Sequence, residues 1–87
     1  MARVGIGDRR AEFAEVDAHR RELREAVDRT ALSRPRLRSD GTIIVHSEEQ
    51  GYGEVLRFAA DAANLVGAYV HVVTDDVPAA QVDAPTL

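Results

Sequence analysis

A small α/β domain is the fold class this sequence predicts, and three observations carry it. Thr42-Ile43-Ile44-Val45-His46 is an apolar, β-branched run, Ala68 to Thr74 is a second, and a stretch of helical periodicity closed by Gly67 lies between them. Branched side chains suit a pleated, half-buried surface, and a short apolar run bounded by turn signals reads as a buried strand. The interval 42–74 spans 33 residues, a length that suits a right-handed parallel crossover. A short strand and a long helix upstream complete a β-α-β-α-β order, with two helices packed on a mostly parallel three-stranded sheet. One domain is expected over 1–78, followed by a mobile tail over 79–87.

In chain order, Val4 and Ile6 alternate with small residues, so a strand is expected at 2–6, closed by Gly7-Asp8. Asp8 is a suitable N-cap for a helix running from about Arg9 to Ala31. Phe13, Val16, Arg20, Leu23, Val27 and Thr30 follow a three-four alternation along it, a narrow stripe like a coiled-coil seam. The rest of that helix is charged, with Asp17–Arg21 and Glu25–Arg29 in the favourable i,i+4 order. At 23 residues or about 35 Å it is long for so small a domain, so part of it is expected to meet another chain. Residues 33–41, Ser-Arg-Pro-Arg-Leu-Arg-Ser-Asp-Gly, read as a connector: proline stops the helix and Asp40-Gly41 signals a turn. A second helix is expected from Tyr52 to Val66, burying Val55, Leu56, Ala59, Ala63 and Val66, with Gly67 as a left-handed C-cap. Asp75-Asp76-Val77-Pro78 ends the last strand, and Gln81-Val82-Asp83 is placed to add briefly to a sheet edge.

The chain has 87 residues and a 9.5 kDa mass, and its composition is 45% hydrophobic and 30% charged, which is too apolar for intrinsic disorder. Such a chain buries only a modest core, so a partner that covers more surface would stabilise it. No cysteine is present, which excludes disulfides and thiolate metal sites. The first eight residues lack a signal-peptide core and no window has the apolar length of a membrane span. The expected location is therefore cytoplasmic, or the virion for a phage-encoded chain. All eleven basic residues are arginine, which with heavy alanine, valine and aspartate usage points to a GC-rich bacterial or phage gene. Residues 1–40 hold ten arginines against eight acids, whereas 41–87 hold only Arg57 against seven acids. So polarised a chain either neutralises itself within one fold or docks its basic end on a neighbour's acidic end.

Tyr52-Gly53-Glu54-Val55 opens the second helix after a short polar loop; Asp61-Ala62 and Gly67 follow, then Val70 to Thr74. With Thr42 to Val45 and a preceding helix through Leu23, Ala26 and Val27, residues 20–76 resemble the periplasmic domain of the ExbD/TolR biopolymer-transport family. The resemblance implies the fold, dimerisation and recognition of an extended peptide along a sheet edge. That family's transmembrane helix, with its proton-coupled aspartate, is not in this sequence, so energy transduction is not implied.

Four residues form the candidate metal or acid–base set. His46 and Glu48 follow the first crossover strand, and His71 and Asp75 lie in and after the second, near strand ends where α/β sheets commonly bind ligands. The competing reading is a polar rim that caps the strands. Gly51-Tyr52-Gly53 opens a helix but lacks the last glycine of a dinucleotide fingerprint and the lysine of a P-loop, and Glu48, Glu49 and Glu54 would repel phosphate. No cofactor is expected. Arg34, Arg36 and Arg38 alternate around Pro35, but the net charge of −4 and the lack of interleaved aromatics favour protein over nucleic acid as their counterpart. Loop serines 33, 39 and 47 have no nucleophile elbow.

The leading expectation is a non-catalytic protein-interaction or assembly module that self-associates, as a bacterial accessory subunit or a phage structural component. Its interface is expected on Phe13, Val16, Arg20, Leu23, Val27, Arg34, Arg36 and Arg38. The alternatives are a small metal- or ligand-binding protein using the His/acid rim, and an antitoxin-like or nucleic-acid-binding accessory. No membrane insertion is expected.

Overall fold

The computed structural model describes residues 10–48, 53–76 and 85–87. The expected strand at 2–6, its Asp8 cap, residues 49–51 of the expected polar loop, the expected helix start at Tyr52 and the edge segment at 81–83 lie outside the described residues.

The long first helix is two helices. Arg10 and Ala11 are extended beside the last strand, where Ala11 N–H donates to Tyr69 O at 2.7 Å, so helix starts only at α1, Phe13–Ala18. Glu15 fixes this start by accepting the Glu12 N–H at 3.0 Å, the returning half of a capping box. α2, Arg20–Asp28, follows after a break at His19. The break has a local cause. The His19 ring Nδ1–H occupies Glu15 O at 3.0 Å, the carbonyl that its own backbone N–H would take, and that N–H goes to Val16 O instead. A side chain inserted into the i→i−4 ladder kinks a helix.

The expected connector is a strand. β1, Leu32–Leu37, pairs antiparallel with β2, Ile43–Ser47. Leu32 and Leu37 are both buried although their spacing is odd, and strict strand alternation would put them on opposite faces. A one-residue bulge between Ser33 and Arg36, with Arg34 at φ +53°, resets the alternation and turns both leucines inward. Pro35 sits within that bulge on the outermost of the three strands, a position where a missing N–H costs the β1–β2 ladder nothing.

β2 pairs on its other side with β3, Val72–Thr74, in parallel, so the sheet has the order β1-β2-β3 and is mixed, not mostly parallel. Ile43, Ile44 and Val45 are fully buried, as a central strand demands. α3, Gly53–Val66, carries the chain from β2 to β3 and stops where Gly67 takes φ +84°. Its buried stripe is Val55, Phe58, Ala62 and Ala63; Leu56, expected inside, is 67% exposed. α2 and α3 pack on each other and on the sheet, and Ala26 and Ala62 are both fully buried. Leu23, Val27, Ile43, Val45 and Phe58 share the resulting core.

The far end of the chain departs from the expected mobile tail. Leu37 N–H donates to Pro85 O and Leu87 N–H to Pro35 O, both at 2.9 Å, and Arg36 and Thr86 form an antiparallel bridge. Leu87 is buried in the core. Residues 85–87 therefore cover the outer edge of β1.

Candidate interaction edge

Among the described residues the sheet has a closed side and an open one. β1 is closed by residues 85–87. On β3, His71 O accepts from Ile43 N–H and Asp75 N–H donates to Val45 O, both at 2.9 Å. Neighbouring residues of a strand aim their backbone groups to opposite sides, so Val72 and Thr74 turn N–H and C=O away from β2. Among the described residues nothing pairs with these groups. An open edge of this kind is a template for another strand.

Side chains arrange themselves along that strand by the same alternation. Val72 packs against the core on the helix side, while Tyr69, His71, Val73 and Asp75 share the other face. The Tyr69 hydroxyl and His71 Nδ1 share a hydrogen bond at 3.1 Å. The His46 Nδ1–H donates to the two Asp75 oxygens at 3.2 and 3.1 Å. Glu48 Oε2 stands 3.6 Å from the opposite ring nitrogen of His46.

Three of the four candidate ligands are thus neighbours. The two carboxylates, however, sit at opposite nitrogens of one ring and cannot converge with it on a single ion. Among the described residues no group of three or more histidines and acids has metal-binding geometry. His71 precedes β3, beside the start of β2, and His46 lies near the end of β2. Three to four residues of strand, about 10 Å or more, separate them along the sheet. A strand over Ala68 to Thr74 would bring His71 and Asp75 toward one end of the sheet, but β3 begins only at Val72 and leaves His71 at its amino end.

The expected interface residues are dispersed. Val16, Leu23 and Val27 are buried in the chain's own core, because packing α2 against α3 and the sheet consumes that stripe. Phe13 is 38% exposed. Arg20 pairs with Asp17, with Nε donating at 3.0 Å, and reaches Thr86 O at 3.4 Å. Arg34 and Arg36, with Pro35, Asp75 and Thr86, line an open concavity of about 450 Å³.

Arg38 closes the β1–β2 turn. Its Nε and Nη2 donate to the Asp40 carboxylate at 3.1 and 2.7 Å, and Asp40 also accepts the Thr42 N–H at 3.0 Å. Arg10 and Arg38 both donate to the Thr42 hydroxyl, at 2.6 and 3.4 Å, so two guanidinium groups converge at this end of the sheet. The Arg38 fork holds the Asp40 carboxyl well below the usual carboxylate range, and Thr42 N–H adds to this. Burial, then the positive charges of Arg10 and Arg38, push His71 below its ordinary value.

These shifts set a pH dependence at low protein concentration. His71 is depressed, so below the ordinary histidine value of about 6.5 the unfolded chain takes the proton more readily and stability declines. Asp40 contributes stability that is complete above the ordinary carboxylate value of about 4 and is lost as pH falls toward its folded value. Thermal melts should therefore show Tm falling in two steps on acidification. His71→Gln should flatten the upper step and Asp40→Asn the lower one; Tm profiles unchanged by both variants would contradict this assignment.

No protein family, curated protein or solved structure matches this chain.

Proposed function

We propose that the protein is a non-catalytic interaction module that self-associates through the outer edge of β3. The single observation carrying this reading is the asymmetry of the sheet: the chain closes its β1 edge with residues 85–87, while among the described residues nothing pairs with the outward backbone groups of Val72 and Thr74 on β3. Pairing strand edges satisfies such groups with main-chain hydrogen bonds, and flanking side chains give specificity. The polarity of the edge supports the same reading, with Arg10 and Arg38 near its start and Asp75 and Asp76 at its end. A bacterial accessory subunit or a phage assembly component is the setting we propose for such a module. The resemblance of residues 20–76 to the ExbD/TolR periplasmic domain belongs to the same proposal, since edge recognition is what that resemblance implies.

The test is solution mass by light scattering after size exclusion. The mass should rise with concentration from 9.5 kDa toward twice that value. A mass that stays at 9.5 kDa up to the solubility limit overturns the reading.

A further inference from the structure

Resting on that reading, the geometry points to a particular pairing: two copies join antiparallel across β3 about a two-fold axis at Val73, with His71 of each copy facing Asp75 of the other. Three arguments lead there. The first is the hydrogen-bonding phase. Val72 and Thr74 are the β3 residues whose N–H and C=O face outward. In an antiparallel pair, outward-facing residues of one strand must oppose outward-facing residues of the other, where they exchange both hydrogen bonds. An axis at Val73 sets Val72 opposite Thr74 twice, giving four main-chain hydrogen bonds, and makes Val73 opposite Val73 a close non-hydrogen-bonded pair.

The second argument is side-chain chemistry on the exposed face. Tyr69, His71, Val73 and Asp75 lie on one side of the strand. With the axis at Val73, a valine pair stands at the centre and a histidine–carboxylate pair stands on each side of it. Moving the axis to Val72 sets His71 against Val73 and Asp75 against Tyr69. Moving it to Thr74 sets Asp75 against Val73 and Asp76 against Val72. Of these three registers, only the Val73 one sets Val73 against Val73 and His71 against Asp75 on the exposed face, and cross-strand matches of this kind fix register.

The third argument is proton placement. The Tyr69 hydroxyl stands 3.1 Å from His71 Nδ1, and the pairing takes the tautomer in which that hydroxyl donates, which leaves the proton of the neutral ring on Nε2 for the partner's Asp75. The product is one six-stranded sheet whose outer edges are the two β1 strands, each covered by residues 85–87. A symmetric pair of this kind leaves no open edge for further addition.

Cross-linking tests the register directly, because the chain has no cysteine of its own. A non-hydrogen-bonded antiparallel pair has Cα atoms about 4.5 Å apart, within disulfide range. Val73→Cys should therefore form a covalent dimer under mild oxidation, at least tenfold faster than Ala60→Cys, an exposed position on α3. Thr74→Cys alone should link no faster than Ala60→Cys. If Thr74→Cys links faster than Val73→Cys, the register is wrong. If the wild-type chain is a dimer by light scattering and Val73→Cys links no faster than Ala60→Cys, this pairing is overturned while self-association stands. A wild-type chain that is monomeric, with no fast cross-link at any position, overturns both.

Discussion

Gly41→Ala should cost roughly 2–4 kcal/mol, a large share of the ~5–10 kcal/mol expected for a domain of this size. Two independent penalties combine at this residue. Gly41 has φ +91°, in the left-handed region where a Cβ is strained. A Cβ there would also stand 2.9 Å from Ala11 O and 3.2 Å from Glu12 C, both backbone atoms that cannot swing aside. Relief requires moving the start of α1 away from the β1–β2 turn, which disturbs the contacts of Arg10 with Thr42 and Asp40 as well. Gly67→Ala is the control. It has φ +84° but nothing within 4 Å of the added carbon, so it should cost only the conformational part, about 1 kcal/mol. Equal losses in Tm for the two variants would show that the close approach at Gly41 contributes nothing.

Leu23→Asp should abolish folding rather than merely dissociate an assembly. Leu23 is fully buried among Val27, Phe58 and the sheet residues Ile43 and Val45. A carboxylate placed there has no partner, and among the described residues no buried side-chain polar atom is left unpaired to serve as one. Removing the leucine side chain alone costs about 2–5 kcal/mol, and desolvating an unpaired acid adds to it. The variant should lack a cooperative thermal transition in circular dichroism at neutral pH. A variant that melts like wild type while its mass halves would return Leu23 to the surface of the monomer and would contradict this core.

How much of this was legible in the sequence follows from how local each signal is. The β2 strand, the α3 helix and the Gly67 cap are written in consecutive residues: a branched run, a helical period, a glycine. The turn at Asp40-Gly41 is equally local. β1 was hidden, because Leu32-Ser-Arg-Pro-Arg-Leu37 alternates only if one residue is allowed to bulge, and its proline and arginines imitate a connector. The helix break at His19 depends on one side chain taking a backbone carbonyl, which leaves no periodic trace. Phe58 was missed for Leu56 because both positions fit the helical period of α3, and only the docking direction against α2 and the sheet separates them.

Of the candidate site, the sequence placed His46 and Asp75 in one list and the structure makes them partners. The stripe through Val16, Leu23 and Val27 looked like a seam for a second chain since a narrow apolar face has the same pattern whether it meets a neighbour or its own sheet. An edge segment was expected at Gln81-Val82-Asp83, but the closing of β1 by residues 85–87 was not legible. It arises from residues 85–87 pairing with Pro35 and Leu37, some 50 positions upstream, and nothing in either segment announces the other.

If β3 offers its outer edge for association, removing one outward donor from that edge abolishes the dimer. Thr74→Pro deletes an N–H that points away from β2, a substitution that an edge strand tolerates. Light scattering of wild type and variant over the same concentration series is the measurement. The wild-type mass should climb toward a dimer while Thr74→Pro stays at 9.5 kDa, with the thermal melt at low concentration unchanged. Val73→Lys, which places two like charges at the axis, should give the same monomeric mass without altering the backbone. Dimers that persist undiminished in both variants would contradict the claim.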